Sequence, residues 1–281
     1  MRLSIAHETR YAYDVTPNSV IEVLRLTPAS SATQSLRDWR ITLSGDAPLR
    51  RFDDAYGNIC HTVTTEVPDD GLVITASGIV ETSGSSGVVS GTRERLPAAI
   101  FLRETPLTAP DAALASLADD AAAQSDGSSL AFAHALNRLV YERVTFDGDA
   151  TDTHTTASEA LAAGRGVCQD LTHVMCAAAR AHGIPARYVS GYQFEAGRAR
   201  DTHAGHAWAE LDVAGLGWVG FDPTAGRSPD ESYVRVAVGL DTASASPVRG
   251  ATYGGFGERL SVTVTMEERG RPGAFQSQSQ S

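Results

Sequence analysis

The chain has 281 residues, 42% of them hydrophobic and 20% charged, with a formal net charge of −11 and three cysteines. This length allows one large domain or two ordinary ones with sizeable cores, and the composition is that of a folded protein, not a disordered one. The acidic balance, with no Lys/Arg-rich run, argues against nucleic acid or an anionic membrane as partner.

The opening residues Met1-Arg2-Leu3-Ser4-Ile5-Ala6-His7-Glu8 do not read as a secretory leader, because Glu8, Arg10 and Asp14 interrupt any apolar stretch. Nowhere does an apolar run approach the roughly 20 residues of a membrane span. Cys60, Cys168 and Cys176 lack framework spacing, which points to reduced thiols and a cytoplasmic setting. Residues 5–13, 20–26, 36–43, 59–67 and 72–80 are short runs with partial alternation, separated by turn signals such as Thr16-Pro17-Asn18 and Pro68-Asp69-Asp70-Gly71. Strands this closely spaced predict a sandwich. Residues 82–87, rich in Gly and Ser, read as a flexible connection.

From Pro110 the periodicity becomes helical, over residues 111–124 and 129–144. A short helix follows over 156–163, with Thr156 or Ser158 as its cap and Gly164 as its end. The next helix begins near Cys168, carries an apolar stripe of Leu171, Val174, Met175 and Ala178, and stops at Gly183-Ile184-Pro185. Strands are then expected over 186–194, 206–213, 217–221, 233–238 and 260–266. The end, residues 275–281, is low-complexity and reads as disordered.

Cys168 stands out chemically. It follows Gly164-Arg165-Gly166-Val167 at a helix start, where unpaired N–H groups and the helix dipole favour thiolate. A thiol nucleophile needs a base on a facing element and a third group to orient that base. His206 opens an alternating strand, and Asp222 closes the next one, Trp218-Val219-Gly220-Phe221-Asp222. The turn around Gly215 makes these two strands a hairpin, which brings the start of the first level with the end of the second. Cys168, His206 and Asp222 therefore form a candidate nucleophile, base and orienting acid.

Four segments in this order carry a resemblance. They are Gly166-Val167-Cys168-Gln169-Asp170, then residues 183–192, then His206-Ala207-Trp208, then residues 218–224. Together they resemble the bacterial transglutaminase-like superfamily over roughly residues 141–250. Leu24-Arg25-Leu26-Thr27-Pro28 and Asp54-Ala55-Tyr56-Gly57-Asn58 resemble the β-rich N-terminal region found in that family. The resemblance implies an α+β protein with a β-sandwich-like region followed by a papain-like, transglutaminase-like catalytic domain. It also implies a Cys–His–Asp triad on Cys168, His206 and Asp222; we expect no cofactor and no metal. We divide the chain into residues 1–100, 101–270 and a tail at 271–281. One departure concerns the oxyanion hole. Papain-type enzymes carry glutamine six positions before the cysteine, and here that residue is Ala162, so the Cys168 N–H and the Tyr141 hydroxyl are the candidate donors.

Other residues read as structural. Cys176 lies on the apolar side of the Cys168 helix, Asp170 suits its first turn, and Trp208, Trp218, Arg187 and Tyr192 suit packing around the site. Cys168, His173, His203 and His206 are zinc-ligand types without a close Cys pair, so a metal centre is the weaker reading. The expected function is acyl transfer on a peptide or protein amide through a Cys168 thioester, with water or an amine as acceptor. The competing class is an inactive scaffold of the same fold. The oligomeric state is not legible.

Overall fold

A computed structural model describes residues 1–45, 47–84, 86–148, 152–196 and 205–270. The low-complexity end and His203 lie outside the described residues. The first six strands are β1 (Arg2–Ala12), β2 (Ser19–Thr27), β3 (Gln34–Leu43), β4 (Arg50–Asp53), β5 (Ile59–Thr65) and β6 (Leu72–Thr82). Their sequence alternates because one face is buried. In β1, for instance, Leu3, Ile5, His7, Thr9 and Tyr11 point inward.

The helical part contains α1 (Ala112–Ala123), α2 (Ser129–Arg143), β7 (Thr145–Phe146), α3 (Ala157–Ala163), β8 (Arg165–Gly166) and α4 (Cys168–Ala181). Each of the first three helices starts on a side-chain cap. Asp111 accepts from Leu114 N at 2.9 Å, Ser128 from Ala131 N at 3.1 Å and Thr156 from Glu159 N at 3.2 Å. Of the two caps the sequence allowed for α3, Thr156 is the one used. Gly164 ends α3 at φ 65°, the left-handed conformation glycine tolerates. The closing strands are β9 (Ala186–Gln193), β10 (His206–Val213), β11 (Gly217–Phe221) and β12 (Tyr233–Gly239), then a short helix α5 (Thr242–Ala245), β13 (Val248–Tyr253) and β14 (Arg259–Glu268).

Three four-stranded sheets result. β11-β10-β9-β12 forms the sheet behind α4, and α1, α2 and α3 surround that helix on its other sides. Alanines 177–179 let the helix approach closely, and they are fully buried with Leu171, Val174, Met175 and Cys176. The other two sheets are β14-β1-β6-β3 and β13-β2-β5-β4. The sequence reading kept residues 248–268 with the catalytic part. In the structure their hydrogen bonds go to the front, since β14 pairs with β1 and β13 with β2. The structure is thus α+β, with front sheets built from both ends of the sequence.

The front sheets grip β12 through two side-chain amides. Gln34 donates to the Arg235 carbonyl and accepts from the Arg235 N–H, both at 2.8 Å. Asn58 does the same to Val238, again at 2.8 Å twice. β12 is an edge strand, and these amides satisfy its outward backbone groups as a neighbouring strand would. Asn58 is itself fixed by Asp54, which also takes the Tyr56 and Asn58 N–H groups. The motif Asp54-Ala55-Tyr56-Gly57-Asn58 is therefore a docking turn.

Candidate active site

Cys168 occupies the first turn of α4 and is partly exposed. The Asp170 carboxylate accepts from Val167 N at 2.8 Å, which ties down the approach to the helix. Gly166 is required there, because a Cβ on it would stand 2.8 Å from Asp170 Cβ. Asp170 thus serves the capping role the sequence suggested for it. Thr172 Oγ1 donates to the Cys168 carbonyl at 2.7 Å. Cys176, two turns on, is fully buried, and burial pushes its thiol up to about 11.

His206 is the first residue of β10. The β10–β11 ladder ends with Ala209 opposite Phe221, so Asp222 projects past its last pair toward His206. His206 Nε2 and Asp222 Oδ2 are 2.7 Å apart. The other ring nitrogen makes no bond to Asp222, and Cys168 beside the ring favours its charged form. Burial by itself would lower the His206 pKa. The hydrogen bond His206 donates to Asp222, then the interaction with Cys168 and the attraction to both, outweigh it and raise it to about 10. Burial likewise opposes ionisation of Asp222, but His206, Tyr233 and the Thr224 N–H hold it below the usual carboxylate range. Asp222 is fully buried, and its Oδ1 accepts from Thr224 N at 2.8 Å.

Tyr233, read from sequence only as the start of a strand, completes this arrangement. Its hydroxyl donates to Asp222 Oδ2 at 2.7 Å. Its ring lies 5.8 Å from that of His206 and edge-on to Trp208 at 5.4 Å. The Arg227 guanidinium sits over the Tyr233 ring at 5.4 Å. No spacing rule points to Tyr233, because β12 joins the sheet beside β9, out of chain order.

The surrounding residues are mostly support. Trp208 is 2% exposed and packs on Gly191, where a Cβ would lie 2.6 Å from the indole. Arg187 is buried between Glu210 at 2.6 Å and Glu94 at 2.8 Å, with Trp218 beneath its guanidinium at 4.0 Å. Arg235 binds Glu210 as well, at 2.8 Å, so this buried carboxylate is doubly paired. Tyr192 is buried against His7 at 3.0 Å. His173, one of the zinc-ligand types, accepts from Thr242 N at 3.1 Å. Tyr141 stands half exposed on α2. Its ring covers Gly226 in the turn after Asp222, and among the described residues no hydrogen bond joins its hydroxyl to the triad.

The comparisons agree with this architecture. Residues 115–223 match the model of the transglutaminase-like superfamily, and residues 3–81 match that of the bacterial transglutaminase-like N-terminal region. The chain is 30% identical over 278 residues to the uncharacterized protein Rv2569c of Mycobacterium tuberculosis, covering 90% of this chain and 88% of that protein. The chain belongs to the transglutaminase-like superfamily. A second relative, the uncharacterized protein ML0607 of Mycobacterium leprae, is 28% identical, covering 94% of this chain and 97% of that one. A solved structure from Cytophaga hutchinsonii, described as a candidate cysteine protease, superposes with a TM-score of 0.73 at 18% identity, covering 99% of this chain and 95% of its own. That likeness is one of fold. It spans both the front sheets and the α4 core.

Proposed function

We propose that this transglutaminase-like protein is a cysteine-dependent acyl-transfer enzyme acting on peptide or protein amides. The observation that carries the reading is the chain of contacts from Cys168 through His206 to a buried, doubly bonded Asp222. In that chain the Cys168 thiolate attacks the amide carbonyl carbon. The carbonyl oxygen takes the negative charge, and the Cys168 N–H at the start of α4 is the donor we assign to it. As the C–N bond breaks, protonated His206 gives its proton to the leaving amine, and the acyl group remains on sulfur as a thioester. Water or an amine, deprotonated by neutral His206, then attacks the thioester and releases Cys168. Asp222 stabilises the imidazolium in both halves and keeps the ring turned toward the sulfur.

Tyr141 is a weaker donor candidate than the Cys168 N–H, since its ring is held over Gly226. Cys60, Cys168 and Cys176 are all unpaired thiols, in keeping with a cytoplasmic enzyme, and no helix among the described residues is long and apolar enough to cross a membrane. We assign the chemistry to the protein alone, with no cofactor, metal, nucleic acid or membrane partner. An inactive scaffold would have no need of a buried aspartate with two donors on one oxygen. The deciding experiment offers amidated peptides with and without an added amine to wild type and Cys168→Ala. Turnover by the wild type and none by the variant is expected. Equal turnover by both would remove Cys168 as nucleophile.

A further inference from the structure

One side of the front sandwich is open. β3 ends one sheet and β4 ends the other, so each has an unpaired edge. Between them lies a cavity of about 750 Å³. Its lining combines the apolar Leu36, Trp39, Ile41, Leu49 and Ile59 with polar and charged side chains. Trp39, Ile41 and Leu49 are partly buried extensions of the sandwich core. The start of β3 is covered, since Leu36 N donates to Ser30 Oγ at 3.2 Å, but among the described residues no strand lies beside the rest.

The rim is cationic. Arg37, Arg40 and Arg51 line it, and Asp38 is the acidic residue among the lining. Arg37 bonds Glu81 at 2.7 Å, Arg51 reaches Asp53 only at 3.9 Å, and Arg40 makes no ion pair among the described residues. His61 stands at the same mouth, and burial followed by the charge of Arg51 holds its pKa below the ordinary range. Three arginines converging here run against a chain whose net charge is −11.

Charges on an edge strand discourage edge-to-edge aggregation, which would account for Arg40 alone. It does not account for a large cavity that the arginines share with apolar side chains. Two occupants are disfavoured by charge. A second copy would bring its own Arg37, Arg40 and Arg51 to the edge, and residues 271–281 contain an arginine and no acidic residue.

We propose that the groove between β3 and β4 docks an extended acidic segment of a partner polypeptide. Its backbone adds to the β3 edge. Alternate side chains of a strand point to opposite sides, so residues facing Trp39, Ile41 and Leu49 lie on the side of Arg51, while the intervening carboxylates meet Arg40 on the outer face. The site uses nothing from Cys168 and stands or falls apart from the catalytic reading.

The test uses the full chain and a fluorescein-labelled peptide of alternating Glu and Leu, followed by anisotropy at low salt. Three controls accompany it: the same peptide with Lys for Glu, the peptide N-methylated at alternate backbone positions, and the Arg40→Glu/Arg51→Glu variant. Both arginines are surface residues, and Arg40→Gln serves as a milder second variant if the double one does not fold. Saturable binding of the acidic peptide is expected, weakened at least about tenfold by the double charge reversal and by N-methylation, and by a smaller factor by Arg40→Gln. The Lys peptide should not bind. No binding of the acidic peptide up to millimolar concentration, equal binding by wild type and the variants, or equal binding of the Lys or N-methylated peptide would each overturn the proposal.

Discussion

His206 and Tyr233 converge on a single oxygen, Oδ2 of Asp222, each at 2.7 Å. The aspartate is fully buried, so both bonds form away from water. Its second oxygen is occupied by the Thr224 N–H at 2.8 Å. Neither oxygen can rotate away without losing a bond, and the imidazole inherits that rigidity.

Asp222→Asn tests the aspartate directly. The amide keeps the shape but presents an N–H where His206 needs an acceptor. The acylation rate should fall by roughly 10²- to 10⁴-fold, measured by burst kinetics on an amide substrate, with little change in the circular dichroism spectrum. An unchanged acylation rate would remove Asp222 from the mechanism.

Tyr233→Phe removes one donor to a buried carboxylate, along with the acceptor of the Gln193 amide at 3.0 Å. A hydrogen bond to a charged group contributes about 1.5–3 kcal/mol, which corresponds to a loss of roughly 10- to 150-fold if it is felt in the acylation step. KM should move far less than kcat. A variant with wild-type kcat would make Tyr233 a packing residue only.

The state of His206 is open to NMR titration of its ring protons. In the wild type the midpoint should lie near the raised value of about 10, and in Asp222→Asn it should drop toward the ordinary histidine range. Because the folded value exceeds the unfolded one of 6.5, the stability contributed by this proton is complete below pH 6.5 and is lost as pH climbs through about 10. An unshifted midpoint in the wild type would mean that Asp222 and Cys168 do not hold the ring charged.

Asn58→Ala should destabilise the fold. It strips the partners from the Val238 N–H and carbonyl, both in a buried setting, at a cost of about 2–4 kcal/mol. Urea denaturation measures this, and a change under about 0.5 kcal/mol would mean that water replaces the amide.

Much of the site was legible because β10 and β11 are consecutive. A hairpin turn around Gly215 is enough to bring His206 and Asp222 together, and a helix start is enough to present Cys168. What escaped depends on contacts between distant segments. Tyr233 reaches Asp222 only because β12 lies next to β9, and Asn58 looked like a turn residue because Val238, its partner, is 180 positions away. β4 and β13 escaped for another reason. Arg50-Arg51-Phe52-Asp53 and Val248-Arg249-Gly250-Ala251-Thr252-Tyr253 are almost wholly exposed, so neither carries the alternation that burial imposes.

The pairing of Leu3 with Glu268 and of Leu24 with Val248 has a bearing on how the protein comes into being. During synthesis β1 and β2 leave the ribosome early, yet each keeps one open edge until β14 and β13 are made. Contacts spanning nearly the whole described chain close late, and the loop-closure entropy is met only then. A nascent or truncated chain stopping before residue 248 therefore presents two bare strand edges, a state prone to aggregation and suited to capture by chaperones. Completion of the front sheets also sets the final grip of Gln34 and Asn58 on β12, and through Tyr233 the seating of Asp222. On this account the thiol acquires its working partners only after β13 and β14 have been made, so a chain lacking them carries a nucleophile without its finished setting.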